Sequence, residues 1–408
     1  MKKDWKTLTK RIIKTLFLLI VGSLPILYIS LLLMMGFGGS LHLAKAAPVV
    51  LSLGFVYLVL YCNDWLKKPW AKRLGLGYLA IVIACGCYVG YGFYIDSIPV
   101  MEDRDSLLYD YIPNREDSLA VRLEEESTLE FDEPTIRMDG ATAMYPVYAA
   151  FVQAVYPEQV YEPWDYSYDT KDVMGLVSCS GTTMAYERLI NGETDIIFVG
   201  GPSEAQLAMA EEAGVELHLT PIGREAFVFF VNSENPVTGL TVEQIQGIYT
   251  GEITNWRDVG GKFQKIRPYQ RAENSGSQTA LQTLMAGLPL MEPEQEDRIG
   301  GMGGIITSVA SYRNFNNAIG FSFRFYSTQM VQNDQIRLLA LNGVEPTVDT
   351  IRDGSYPLAS TFFAVTAAPI GEPAPEETNE DLAALMDWIL SEQGQWLIEQ
   401  TGYVRLGN

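Results

Sequence analysis

Three short segments combine glycine, hydroxyl side chains and the start of a helix-like pattern. They are Asp139-Gly140-Ala141-Thr142, Ser180-Gly181-Thr182-Thr183 and Asn274-Ser275-Gly276-Ser277. A helix start exposes N–H groups that have no partner within the helix, and it carries a partial positive charge. Small residues there let an anion approach the backbone, and hydroxyls add donors. Each segment taken alone is ordinary helix capping. Brought together, the three would hold one tetrahedral anion without net cationic charge. Arg271, just before the third segment, would add a planar fork of donors.

The elements needed to position these turns are those of an α/β domain, in which short apolar runs alternate with amphipathic helices. Ile136-Arg137-Met138, Asp195 to Val199 and Glu225 to Val231 read as strands. Helices are expected from Pro146 to Val155, from the second turn to Asn191, and from the third turn to about Ala286. Other chemistry is poorly supplied. The chain has two histidines, His42 and His218, and no Cys/His spacing suited to a metal. There is no Gly-x-Ser-x-Gly elbow and no histidine near the turns, so an enzyme is not expected, nor a cofactor. Of the four cysteines, Cys62, Cys85 and Cys87 lie in an apolar region and Cys179 stands alone, which leaves no disulfide framework in the α/β part.

Charge divides the 408 residues unevenly. Eleven of the 29 Lys and Arg lie within residues 1–73, beside only Asp4 and Asp64, so the remainder carries 18 basic residues against 48 acidic ones. Such a surface repels nucleic acid, and DNA and RNA are excluded as partners.

Residues 1–97 read as a membrane region with three spans, at about 15–35, 45–62 and 74–95; the first and third are long enough alone to cross a bilayer, and the short second is extended by Leu41 to Leu43. Basic residues precede the first span, and Lys67, Lys68, Lys72 and Arg73 separate the second from the third. The positive-inside rule then puts the N-terminus in the cytoplasm and everything after Ile95 outside. Apart from Lys45 at the edge of the second, the spans contain no Asp, Glu, Lys or Arg, so they read as an anchor in the lipid bilayer. Val82-Ile83-Ala84-Cys85 has the form of a lipid-attachment site, but the apolar run continues past Cys85 to Ile95. Residues 98–134 are acidic and irregular and read as a juxtamembrane linker.

From Thr135 onward the residues resemble a known family. Asp139-Gly-Ala-Thr-Ala-Met-Tyr-Pro-Val-Tyr-Ala-Ala-Phe151 is similar to the opening of the phosphate-binding subunits of bacterial phosphate ABC importers. Ile248-Tyr-Thr-Gly-Glu-Ile-Thr-Asn-Trp-Arg-Asp-Val-Gly-Gly261 is the most specific match. Tyr269-Gln-Arg-Ala-Glu-Asn-Ser-Gly-Ser277, Asn317 to Ser322, and Trp388 to Trp396 with Gly402-Tyr403-Val404 also resemble that family. The resemblance spans about 135–408 and does not extend to the apolar region. It implies a two-lobed type II periplasmic-binding-protein fold, with lobe one at 135–222 plus 362–408 and lobe two at 223–361. The two crossover strands would lie near 221–231 and 356–366. The implied ligand is inorganic phosphate or a similar oxyanion, and the implied partner is an ABC permease. An extracellular anion-sensing or assembly module without transport is the alternative.

By position, the resemblance implies a hydroxyl donor at Thr142, a backbone N–H at Ala143 and a second hydroxyl at Thr182. Arg271 would ion-pair the oxyanion and Glu273 would hold Arg271. Ser275, Gly276 and Ser277 would cap the anion from lobe two. One departure matters. Where the family has a carboxylate that accepts a proton from phosphate and rejects sulfate, this chain has Gly200.

Overall fold

The computed structural model describes residues 2–34, 41–62, 69–97, 108–161, 175–293, 298–299, 316–330 and 336–407. The chain divides into two compact units, Met1–Pro99 and Val100–Asn408.

The first unit consists of helices Lys2–Met34, Leu41–Cys62 and Pro69–Ser97. The middle helix packs against both others. Between the second and third, the Tyr57 and Tyr78 rings stack at 6.1 Å, and the Tyr78 hydroxyl lies over Gly54, where a side chain would collide with it. Two helices among the described residues are long and apolar enough to cross a membrane, His42–Cys62 and Arg73–Tyr94. That is one fewer than the three expected. The missing span, 15–35, falls in Lys2–Met34, where the side chains of 18–22, in the middle of its apolar stretch, lie outside the described residues.

The second unit is built on one mixed sheet. Its strand order is Met138–Gly140, Ile196–Val199, Ala359–Pro369, Val215–Asn232, Ala318–Phe323, Arg267–Pro268. The 18-residue strand Val215–Asn232 organises it. Residues 215–226 pair antiparallel with Ala359–Pro369, and residues 227–231 pair antiparallel with Ala318–Phe323. The apolar run from Glu225 to Val231 is therefore only the second half of a longer strand. Its first half alternates polar and apolar residues and is partly exposed.

Two hydrophobic cores form on the two halves of this strand. One gathers helix Tyr145–Val155, strand Ile196–Val199 and the closing helices Glu380–Leu390 and Glu392–Thr401. The other gathers Phe227 and Phe229, helix Val242–Thr250, Trp256 and strand Ala318–Phe323. Each core buries several large aromatic rings, and each such ring contributes roughly 2–3 kcal/mol of burial.

The segment read as a linker belongs to the first core over its described part. Leu108 and Ile112 are 1% exposed, and Tyr111 and Ala120 are buried beside them. Gln153 Nε2 donates to the carbonyls of Ala120 and Val121 at 3.1 and 3.3 Å. Gln393 ties the acidic stretch down by accepting from Thr128 N and donating to Glu125 and Glu126. Acid content suggested a solvated spacer. The widely spaced apolar residues between the acids decide the matter, because each reaches the core singly.

Candidate functional site

The first turn is fixed from behind by Asp139, which is fully buried. Its carboxylate accepts from Gly140 N and Ser180 N, both at 2.7 Å, and from Ser180 Oγ at 2.6 Å. It also pairs with the buried Arg188 guanidinium. One side chain thus locks strand Met138–Gly140, the second turn and helix Thr182–Ile190 together. Burial pushes the Asp139 carboxyl above its ordinary range, while Arg188 and the Ser180 donors pull it back. Gly140 is required where it stands, since a Cβ there would lie 2.5 Å from the Phe198 carbonyl oxygen. Gly181, at φ 85°, opens the helix in a conformation that suits glycine.

Two of the three helix starts meet. A side chain on Gly276, the first residue of helix Gly276–Met285, would begin 3.0 Å from Thr182 Oγ1, on the first residue of helix Thr182–Ile190. Beside them Asn274, at φ 63°, joins the two cores. Its carbonyl accepts from Thr183 Oγ1 at 3.0 Å and Gln206 Nε2 at 3.3 Å, and its Oδ1 accepts from Ser203 Oγ at 3.1 Å.

Next to this junction lies a cleft of about 490 Å³, of the size that holds a small ligand. Ala141, Ala143, Met144, Thr182 and the small residues Gly200 and Gly201 line it from one core. Gly276, Thr279, Thr283, Phe227 and Phe323 line it from the other, and Ser360 to Phe362 form part of the wall. Of the expected site residues, Ala143, Thr182 and Gly276 are in the lining. The Ala143 carbonyl is engaged by the Tyr403 hydroxyl. Thr142 begins the short 3-10 turn Thr142–Met144 and does not line the cleft.

The remaining four also lie outside the described lining. Ser275 is a helix cap: its hydroxyl donates to the Ala272 carbonyl at 2.8 Å and accepts from Gln278 N. Its hydroxyl serves the start of helix Gly276–Met285 in this arrangement. Ser277 is buried at 8% exposure. Glu273 accepts from Gln282 Nε2 at 2.8 Å. Arg271 is held through its backbone N–H, which donates to Gln278 Oε1 at 2.8 Å.

Sequence reasoning missed three contributors. Glu225 is the one charged residue in the described lining and is 1% exposed. A lone acid opening an apolar run was its only signal. Thr279 Oγ1 lines the same space, buried and without a hydrogen-bond partner. Gly200, noted only as a departure, turns out to line the cleft with nothing within 4 Å of where a Cβ would stand. Among the described residues no group of three or more His, Cys, Asp or Glu is arranged to hold a metal ion.

The family described as "PBP superfamily domain" matches residues 125–393, beginning inside the segment that packs on the first core. The phosphate-binding protein PstS of Staphylococcus epidermidis RP62A is 25% identical over 254 residues, 60% of this chain and 74% of that protein. The phosphate-binding protein PstS of Staphylococcus aureus USA300 is 23% identical over 273 residues, 65% of this chain and 76% of that protein. Among solved structures, a phosphate ABC transporter substrate-binding protein with bound phosphate from Clostridium perfringens is 23% identical. It covers 67% of this chain and 99% of its own, at a TM-score of 0.47. The relatives are binding proteins, not enzymes. With a family match over well more than half of its length, this chain belongs to the PBP superfamily.

Proposed function

We propose that the chain is a membrane-anchored, extracytoplasmic solute-binding protein that captures phosphate, or a related tetrahedral oxyanion, for an ABC permease. The observation that carries this reading is the meeting of the helix starts at Thr182 and Gly276 beside one cleft, with Gly200 and Gly201 leaving room for an anion against the backbone. The names of the relatives support phosphate as the ion.

In this reading the Thr182 hydroxyl, the Ala143 N–H and the N–H groups at Gly276 and Ser277 donate to the anion. Thr142 and Arg271 reach it as the lobes close, with Glu273 setting the position of the Arg271 loop. The lobes are 135–222 plus 362–408 and 223–361, with 108–134 joined to the first. Helices His42–Cys62 and Arg73–Tyr94 serve as the anchor. The basic stretch between them, with Lys67, Lys68 and Lys72, stays in the cytoplasm, so the chain beyond Tyr94 emerges on the outer side. An anchor of more than one helix exceeds what a tether needs and favours, as a second reading, a sensing or assembly module. Copurification of a permease from native membranes separates the two.

Full-length protein in detergent is expected to unfold at a higher temperature in the presence of phosphate. Phosphate at roughly 100 times its Kd should stabilise the folded state by about 2.7 kcal/mol. A midpoint unmoved by millimolar phosphate would count against the reading.

A further inference from the structure

We propose that the cleft takes a phosphoryl group bearing one small apolar substituent, as in a phosphonate or a phosphate monoester, in preference to bare phosphate. The inference rests on the oxyanion reading above and narrows its ligand.

The anion end is a small part of the cleft. It lies where Gly276 and Thr182 meet. From there the lining continues along helix Gly276–Met285 through Thr279, Ala280, Thr283 and Leu284. Steps of three and four keep these residues on one face of the helix. At roughly 1.5 Å per residue, that face runs about 12 Å from Gly276 to Leu284. A tetrahedral ion seated at the helix start covers only the first turn. The whole cleft, at about 490 Å³, is of a size that holds an organic ligand, roughly 300–1,000 Å³.

Beyond the helix start the wall turns apolar. The Phe323 ring stands 3.7 Å from where a Cβ on Gly276 would lie. It meets the Phe227 ring edge-on, with centroids 6.1 Å apart. Ala280, Leu284 and Leu358 pack on the second core and are only half-buried, so each keeps apolar surface at the cleft. Such a wall cannot replace the water around a bare ion. It gains by covering an alkyl or aryl group. The substituent has no charged group to meet. The described lining holds no cation, and Glu225, its one anion, already accepts from Ala226 N and Phe325 N. The Thr283 hydroxyl donates to the Thr279 carbonyl at 2.9 Å, within the helix. Thr279 Oγ1, buried and without a partner, is left to bond an oxygen of the phosphoryl group one turn past the helix start.

The test is calorimetric titration of the full-length protein in detergent with inorganic phosphate, phenylphosphonate and phenyl phosphate. The tighter of the two phenyl ligands should bind at least about tenfold more tightly than phosphate. Their ranking tells whether carbon or oxygen joins the substituent to phosphorus. A smaller advantage, or none, in protein that binds phosphate overturns the proposal and leaves phosphate capture standing. Protein that binds none of the three overturns both. Ala280→Gln places a polar side chain on the apolar stretch, one turn past the helix start. It should remove most of the phenyl advantage while phosphate affinity changes by less than about threefold. An advantage untouched by the substitution overturns the placement of the substituent along this helix. The comparison of ligands needs no variant, so it decides the matter even if Ala280→Gln fails to fold.

Discussion

If Arg271 binds the anion as proposed, Arg271→Ala is expected to weaken phosphate binding by at least about 100-fold, the size of two charge-assisted hydrogen bonds of roughly 1.5–3 kcal/mol each. The described lining of the cleft holds no cation and one anion, Glu225. Helix ends alone would have to offset that charge, and each contributes only about 0.3–1 kcal/mol. The backbone of Arg271 is already fastened to the helix that borders the cleft. Gln278, with no exposed surface, holds Arg271 N through Oε1 and approaches Gln270 at 3.5 Å through Nε2. The loop is thus tied to the helix start on which the anion would rest. Calorimetric titration of the variant decides the matter, and an unchanged Kd would remove Arg271 from the site.

The second large effect is on stability. Asp139→Ala is expected to cost about 3–5 kcal/mol, because it leaves Arg188 buried without its main counter-charge. Arg188 is 7% exposed, and Glu193 at 3.8 Å is half-exposed and a poor substitute. The same change strips the acceptor from Ser180 N, Ser180 Oγ and Gly140 N, all at the turn that sets Thr182. Urea unfolding followed by tryptophan fluorescence measures the loss. A change below about 1 kcal/mol would mean that the pair contributes little and that the turn is held by its backbone alone.

The two outcomes together describe what could be read from the chain beforehand. The helix starts were legible because Gly, Ser and Thr at a boundary have a local cause, and helices Thr182–Ile190 and Gly276–Met285 each begin two residues after the start of their turn. The α/β class followed from alternating periodicities in the same way. The most specific segment, Ile248 to Gly261, proves to serve the second core: Trp256 is 1% exposed, its indole N–H donates to the Asn317 carbonyl, and Asn255 caps the turn. Sequence likeness there speaks for the fold more than for the site.

What was not legible depends on distant partners. Asp139 stood in plain view within the first turn, but its role needs Arg188, 49 residues away. The resemblance implied that Ser275 caps the anion, and it could not show that the same hydroxyl bonds Ala272 and Gln278 at the helix start. Glu225 looked like the edge of an apolar strand until the strand proved to run from Val215 to Asn232, which sets the residue in its interior and against the cleft. The acidic run before Thr135 misled for a related reason. Its average charge describes the side facing water, while Leu108, Tyr111 and Ala120 face the core.

The central claim is that the cleft beside Thr182 and Gly276 holds a tetrahedral oxyanion. Its most direct test is isothermal titration of the full-length protein in detergent with inorganic phosphate near neutral pH. The account predicts saturable binding of one phosphate per chain with a Kd of about 1 μM or tighter, or roughly 8 kcal/mol or more. No heat of binding from phosphate, in a protein that unfolds cooperatively, would contradict it.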